Sequence, residues 1–312
     1  MTEIKLQEDS NNGTDCSPLN SLYCNLKIRI TGSLNKKDLN KLYRCTLCNS
    51  CGLAGFNRGT REKAVNKSII SSHLVEISRN IRETGNSYGI ITNNSPEHCD
   101  METVLFKGCT PTHKTPEILE AVESLLKSES VEYGVISNET CCGNILFNLG
   151  DHTSGLEAVE KNIAKFKAAG VKRIITICPG CYNAFNKYYR GYDGFNPEIV
   201  LAVDLLNGLT IKGNNFTVQD PCHAKEKSST VRKILPGSKN KGASPCCGAG
   251  GGVMIHDRQL ASTKARKTVD NPEKIVTYCP FCYINLSSVS VDGVEDIYML
   301  LENQNRVYHA GK

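Results

Sequence analysis

Up to about residue 35 the chain reads as polar. The first twelve residues are polar, and the stretch that follows is rich in Asn, Ser and Gly. This pattern predicts a loose lead-in over residues 1–35. Lys36–Tyr43 then reads as a short helix with Leu39 and Leu42 on one face. Beyond a tight cysteine run, Val65, Ile69, Ile70, Leu74, Ile77 and Ile81 recur near helical spacing and predict one helix over residues 61–82. Residues 84–100 are mostly polar and contain Gly, Asn and Pro, so they read as a connection that closes a helical segment over 36–100.

From residue 101 the rhythm changes. Short β-branched runs at 103–107, 172–177, 216–219 and 274–278 have the composition of buried strands. Amphipathic stretches at 116–127, 156–169 and Arg258–Val269 alternate with them, and Gly170 supplies a stop signal for the second. Strands that alternate with helices imply parallel sheets faced by helices. The chain therefore reads as two copies of one α/β unit, at 101–205 and 206–312.

The cysteines repeat with the units. The first set is Cys109, Cys141–Cys142–Gly143 and Cys178–Pro179–Gly180–Cys181; the second is Cys222, Cys246–Cys247–Gly248 and Cys279–Pro280–Phe281–Cys282. Each begins with a lone cysteine after a strand and ends where the last strand runs into C-P-x-C-Y. The intervals are 31 and 35 residues in the first copy, and 23 and 31 in the second, so the second unit is shorter between its first two ligand positions.

These ten are among 16 cysteines in 312 residues. A chain of this length buries roughly 75% of its unfolded surface and needs no disulfides to fold. The polar amino terminus lacks the order of a secretory signal, and no run approaches the roughly 18 apolar residues of a membrane span. The expected location is cytoplasmic, or at a membrane only through a partner. In a reducing compartment such cysteines are metal ligands or redox centres rather than staples. The net charge of +5 is spread along the chain, so nucleic acid is not an expected partner.

Thiolate sulfur is the natural ligand of iron–sulfur clusters and zinc. Five thiols per copy exceed the four that one tetrahedral zinc or one ordinary cubane uses. Adjacent cysteines suit neighbouring iron atoms, and the glycines beside them allow backbone to approach a bulky core. Two structural zincs remain the alternative. The Gly250–Gly252 run lacks the Lys-Ser/Thr ending of a phosphate loop.

F-K-G-C, C-C-G and C-P-G-C, followed by D-P-C-H, C-C-G-A-G-G-G and C-P-F-C, resemble the tandem cysteine-rich CCG domains of the heterodisulfide reductase B/D family. The resemblance covers residues 36–303. It implies an α/β fold of two Rossmann-like CCG units preceded by a small α-helical ferredoxin-like segment. It also implies a noncubane [4Fe–4S] cluster on each set of five cysteines, and reduction of a disulfide such as that of coenzyme M and coenzyme B. An electron-transfer subunit of a flavin dehydrogenase acting on succinate, lactate, glycolate or glycerol 3-phosphate is the rival within the family. A zinc scaffold is the rival outside it.

Cys45, Cys48 and Cys51 have the C-x2-C-x2-C spacing of a ferredoxin run, but Gly55 and Phe56 stand where Cys-Pro normally completes it. The expectation is one [4Fe–4S] cubane held by these three and Cys24, with Cys16 as the alternative fourth ligand. Arg44, Arg58, Arg61 and Lys63 could receive a ferredoxin or flavoprotein donor. His223, next to Cys222, could donate a proton to a departing thiolate or hydrogen-bond a sulfide. Lys225, Lys227 and Arg232 could hold an anionic group of a small thiol or disulfide substrate. Cys99 matches no motif position.

Overall fold

The computed structural model describes residues 3–4, 17–92, 101–136, 138–211, 215–240, 246–270, 273–290 and 292–310. Cys16 and Cys99 lie outside them.

The amino-terminal part is helical: α1 (Pro18–Thr31), α2 (Lys36–Tyr43), α3 (Ala54–Asn66) and α4 (Ser72–Thr84). The short strands β1 (Glu3–Ile4) and β2 (Ile70–Ser71) pair in parallel. The lead-in expected to be loose thus contains a 14-residue helix, opened by Pro18 in its first turn and closed by Gly32 at φ 69°. The helix expected over 61–82 is two helices. Ser68 turns the chain at φ 59° between them, and Ser71 caps the second by accepting a hydrogen bond from the Leu74 N–H.

The first sheet holds β3 (Thr103–Phe106), β4 (Arg173–Thr176) and β5 (Glu198–Leu201), all parallel in that order. An isolated parallel bridge from Val104 to Gly134 extends it beyond β3. The second sheet holds β6 (Phe216–Gln219), β7 (Lys239–Asn240), β8 (Lys274–Thr277) and β9 (Val294–Asp296), all parallel, in the order β7-β6-β8-β9. With Gly134 counted as a vestigial edge, both sheets have one topology. The first strand lies inside, the chain goes outward to one edge, then returns to build the other side. Each unit therefore has a switch point between its first strand and the strand leading into C-P-x-C, where α/β folds gather ligands.

Helices α5 (Cys109–His113), α6 (Pro116–Ser128), α7 (Asn144–Leu149), α8 (His152–Ala168) and α9 (Pro179–Ala184) serve the first unit. Helices α10 (Ser228–Ile234), α11 (Val253–His256), α12 (Arg258–Val269), α13 (Pro280–Ser287) and α14 (Ile297–Ala310) serve the second. The units share a core: Ile118, Val122 and Leu125 of α6 are buried in one cluster with Tyr298 and Leu301 of α14 and strand residues of both sheets. Among the described residues, no helix is long and apolar enough to cross a membrane.

Candidate metal centre

Each set is assembled by the same local chemistry. The lone cysteine follows the inner strand: Cys109 opens α5 after β3, and Cys222 follows β6. Cys178 and Cys279 stand at the N-cap positions of α9 and α13, each with proline just inside the helix. There proline loses no hydrogen bond, and the helix N-terminus favours a thiolate. The cysteine pairs depend on their glycine. Gly143 (φ 79°) and Gly248 (φ 84°) are left-handed, and a Cβ would come 3.1 Å from the Gly155 carbonyl oxygen in one case and 2.5 Å from that of Ala261 in the other. Buried asparagines hold the pairs from behind. Asn162 Nδ2 donates to the carbonyls of Thr140 (2.7 Å) and Cys141 (3.4 Å), and Asn285 Nδ2 donates to those of Cys247 (2.6 Å) and Ala261 (3.1 Å).

The ten sequence-predicted thiols come to one place. Nine of them, all but Cys246, line one cavity of about 680 Å³. Hydrogen bonds link Cys109 to Cys141, Cys141 to Cys142, Cys142 to Cys181 and Cys181 to Cys178. The row then crosses between units from Cys178 to Cys279 and runs on through Cys282, Cys247 and Cys246. The Cys282 and Cys247 sulfurs are 3.0 Å apart. Cys222 lies within electrostatic range of Cys246.

The thiols along this row differ in how readily they ionise. Cys142, Cys178 and Cys247 each accept hydrogen bonds from two neighbouring thiols, which hold their pKa below the ordinary value, Cys142 at about 6. The thiols donating to them are pushed up in turn, Cys181 and Cys282 well above. Buried sulfurs this crowded cannot all ionise without cations among them. Among the described residues, no group of three or more His, Cys, Asp or Glu side chains has the geometry of a single-ion site. The thiols are instead strung out in sequence around a common cavity. An all-sulfur donor set so arranged fits a multinuclear iron–sulfur core on each side better than one ion.

The family model for the CCG cysteine-rich domain matches residues 103–186 and 216–287, half of the chain. The chain belongs to the CCG cysteine-rich domain family. The match covers both units with their C-C-G and C-P-x-C turns, as the motif resemblance implied. Among curated proteins, this CCG chain is similar to a subunit of the fumarate reductase (CoM/CoB) of Methanothermobacter marburgensis, at 24% identity over 83% of this chain and 60% of the relative. It resembles the EtfAB:quinone oxidoreductase of Syntrophomonas wolfei at 29%, over 63% and 32%. It also resembles a subunit of the dihydromethanophenazine:CoB–CoM heterodisulfide reductase of Methanosarcina acetivorans at 28%, over 64% and 58%. The chain spans between a third and three fifths of the length of these relatives.

The amino-terminal candidates have different surroundings. The loop carrying Cys45, Cys48 and Cys51 lies on the second unit: the Cys246 thiol is 3.3 Å from the Thr46 hydroxyl, and Cys51 is exposed. Cys24 is fully buried with Ile28, Leu39 and Leu42, and its thiol donates to the Asp38 carbonyl at 3.4 Å. Burial pushes its pKa up to about 11. His223 is partly buried against the other unit, with Nδ1 near the Cβ position of Gly180. Burial lowers its pKa, and the charge on Cys178 partly offsets this.

Several cations expected at the surface or at substrate are already engaged. Arg44 pairs with Asp257 at 2.9 Å, Arg58 donates to Asn148 Oδ1, and Arg61 is fully buried. Lys227 pairs with Asp204 at 2.8 Å, and Arg232 grips Asp220 through two bonds of 2.9 and 2.7 Å. The cations that do line the cavity are Lys114 and Arg258, both exposed at its edge. Sequence reasoning missed both, although Lys114 stands as far past Cys109 as Lys227 does past Cys222.

Proposed function

We propose that this chain is an iron–sulfur oxidoreductase subunit that reduces a disulfide to two thiols, as the name of its heterodisulfide reductase relatives implies. The observation that carries this reading is the meeting of the two cysteine sets, Cys178 against Cys279, on one cavity. A disulfide bound there would have a set of thiolates on either side, one for each sulfur released. Each quintet would hold a noncubane [4Fe–4S] cluster, which when bound supplies electrons one at a time and an iron able to take a sulfur ligand. The net change is R–S–S–R′ with two electrons and two protons giving R–SH and R′–SH.

The chain's own groups bind the substrate and handle its protons. Ile145, Met254 and Phe281 supply an apolar lining for the body of the substrate, while Lys114 and Arg258 at the edge suit anionic ends. His223 lines the same cavity, where burial lowers its pKa and the charge on Cys178 raises it. Its ring N–H would hydrogen-bond a sulfur as negative charge grows there, and a proton from solvent would complete the thiol. Electrons would arrive through an iron–sulfur centre that Cys45, Cys48 and Cys51 help to hold.

The donor would dock on α1. Leu19, Leu22, Tyr23, Leu26 and Ile30 form an exposed apolar stripe there, and Lys27 and Lys41 each approach the Tyr23 ring. Residues 17–51 carry six basic residues and one acidic, which favours an acidic flavoprotein or ferredoxin partner.

The test is to mix anaerobically reduced protein with coenzyme M–coenzyme B disulfide and quantify thiols. Two thiols released per two electrons supports the proposal. A relay of the kind found beside flavin dehydrogenases is the second reading, favoured by the unbroken thiol row between the units. In that case the reduced protein would be reoxidised by a quinone analogue and leave the disulfide intact.

A further inference from the structure

The two sets differ at their outer ends. In the first, the lone Cys109 hydrogen-bonds Cys141, the first member of the pair. In the second, the partner of the equivalent Cys246 is not Cys222 but Cys48, from the amino-terminal loop. Cys222 feels the charges of both of these thiols. Cys48 thus holds, towards Cys246, the place that Cys109 holds towards Cys141.

The loop is fixed in this position from several sides. Arg61 Nη2 donates to the Cys45 carbonyl (2.8 Å) while its Nη1 donates to the carbonyl of Gly251 (2.7 Å), so one guanidinium ties the loop to the glycine run after Cys247. That run must be glycine. A Cβ on Gly251 would strike the Cys45 carbonyl oxygen, and one on Gly250 would lie 2.6 Å from that of Thr46. The Thr46 hydroxyl contacts Cys246 directly. Leu47 (φ 56°) and Asn49 (φ 62°), the residues on either side of Cys48, are both left-handed, a conformation that asparagine tolerates and leucine rarely adopts. The strain is held by these contacts and presents Cys48 to the second unit.

We infer that Cys48 is a ligand of the second cysteine set, which therefore takes six thiolates where the first takes five. The inference rests on the reading that these sets hold iron–sulfur cores. It makes the two centres chemically unequal, because an added thiolate brings negative charge and lowers the potential of the core it binds. It also means that the amino-terminal run does not build a free-standing four-iron centre from its own cysteines.

The test uses the full chain, loaded anaerobically, with Cys48→Ser, Cys51→Ser and Cys247→Ser variants. The EPR signal lost in Cys247→Ser marks the second set. Cys48→Ser should shift the g-values of that signal and speed loss of its iron to a chelator at least about threefold, as expected when one thiolate ligand is lost. Cys51→Ser should leave both unchanged. The inference is overturned if Cys48→Ser alters only what Cys51→Ser alters. A wild type without iron or sulfide would instead remove the reading beneath it. A second measurement avoids dependence on loading. In the apo chain, diamide takes two electrons and two protons from a neighbouring thiol pair, and peptide mapping should find a Cys48–Cys246 disulfide. A predominant Cys222–Cys246 disulfide would overturn the inference.

Discussion

Arg61 joins all three parts of the molecule, and its removal has a calculable consequence. It is fully buried, its guanidinium lies 4.7 Å from the Tyr43 ring centre, and it has no carboxylate partner among the described residues. Nη1 donates to the carbonyls of Asn148 (2.8 Å) and Gly251 (2.7 Å), and Nη2 to those of Leu42 (3.2 Å) and Cys45 (2.8 Å). Two of these acceptors belong to the helical segment and one to each cysteine-rich unit. The Leu42 carbonyl also accepts from Asn57 Nδ2 at 3.5 Å, so three acceptors would be left unpaired, at about 1–3 kcal/mol each and about 4 kcal/mol in all. Against this stands recovery of the desolvation cost of the charge, which burial signals by lowering the Arg61 pKa. The acceptors sit on three separate segments and cannot pair with one another, so the loss should dominate. Arg61→Met should destabilise by about 4 kcal/mol in urea titrations. Arg61→Lys, without the planar fork, should recover less than half. An Arg61→Met chain within about 1 kcal/mol of wild type would show that the desolvation cost cancels the bonds, and would refute the reasoning.

Other positions give independent tests. Gly251→Ala should destabilise by about 2 kcal/mol or more through collision with the Cys45 carbonyl, whereas Gly170→Ala, equally left-handed but with nothing within 4 Å, should cost about 1 kcal/mol; equal losses in thermal melts would contradict the contact. Burial and the carboxylates of Glu117 and Glu295 raise Asp296 from 3.8 to about 7, against N–H bonds from Tyr298 and Met299. Its pKa rises on folding, so its stabilising contribution is full below pH 3.8 and is lost as pH climbs through 7. Asp296→Asn should therefore abolish about 3 kcal/mol of the fall in stability between about pH 4.5 and 8, and an unchanged pH slope would count against the buried carboxylate. Leu22→Glu with Leu26→Glu should slow reduction by an acidic ferredoxin about tenfold and leave reduction by dithionite unchanged, since only docking is altered; equal slowing of both would place the stripe outside the donor surface.

The sequence made some parts legible and hid others for physical reasons. Residues 103–106, 173–176, 216–219 and 274–277 are central strands, and their β-branched runs reflect burial on both faces. The edge strand Val294–Asp296 was missed because it is three residues long with a single apolar side chain, whereas Glu198–Leu201 is as long and as apolar as the strands that were read, and its sequence gives no reason for the miss. Helix α1 escaped because its apolar residues fall on two faces, Cys24 and Ile28 toward the core and Leu22, Leu26 and Ile30 outward. Ser17-Pro18 and Gly32 were the signals that could have revealed it. The ten motif cysteines were found because spacing and turn residues are local. Their union into one row across two units, the placement of Cys48 against Cys246 and the core position of Cys24 arise from long-range packing, which local pattern does not encode.

The central claim is that each cysteine set encloses a multinuclear iron–sulfur core, and Mössbauer spectroscopy of anaerobically purified, iron-57-loaded protein tests it most directly. The account predicts several exchange-coupled irons per chain with matching acid-labile sulfide, and two spectrally distinct populations lost separately in Cys142→Ser and Cys247→Ser. A colourless chain carrying stoichiometric zinc and no sulfide would contradict it.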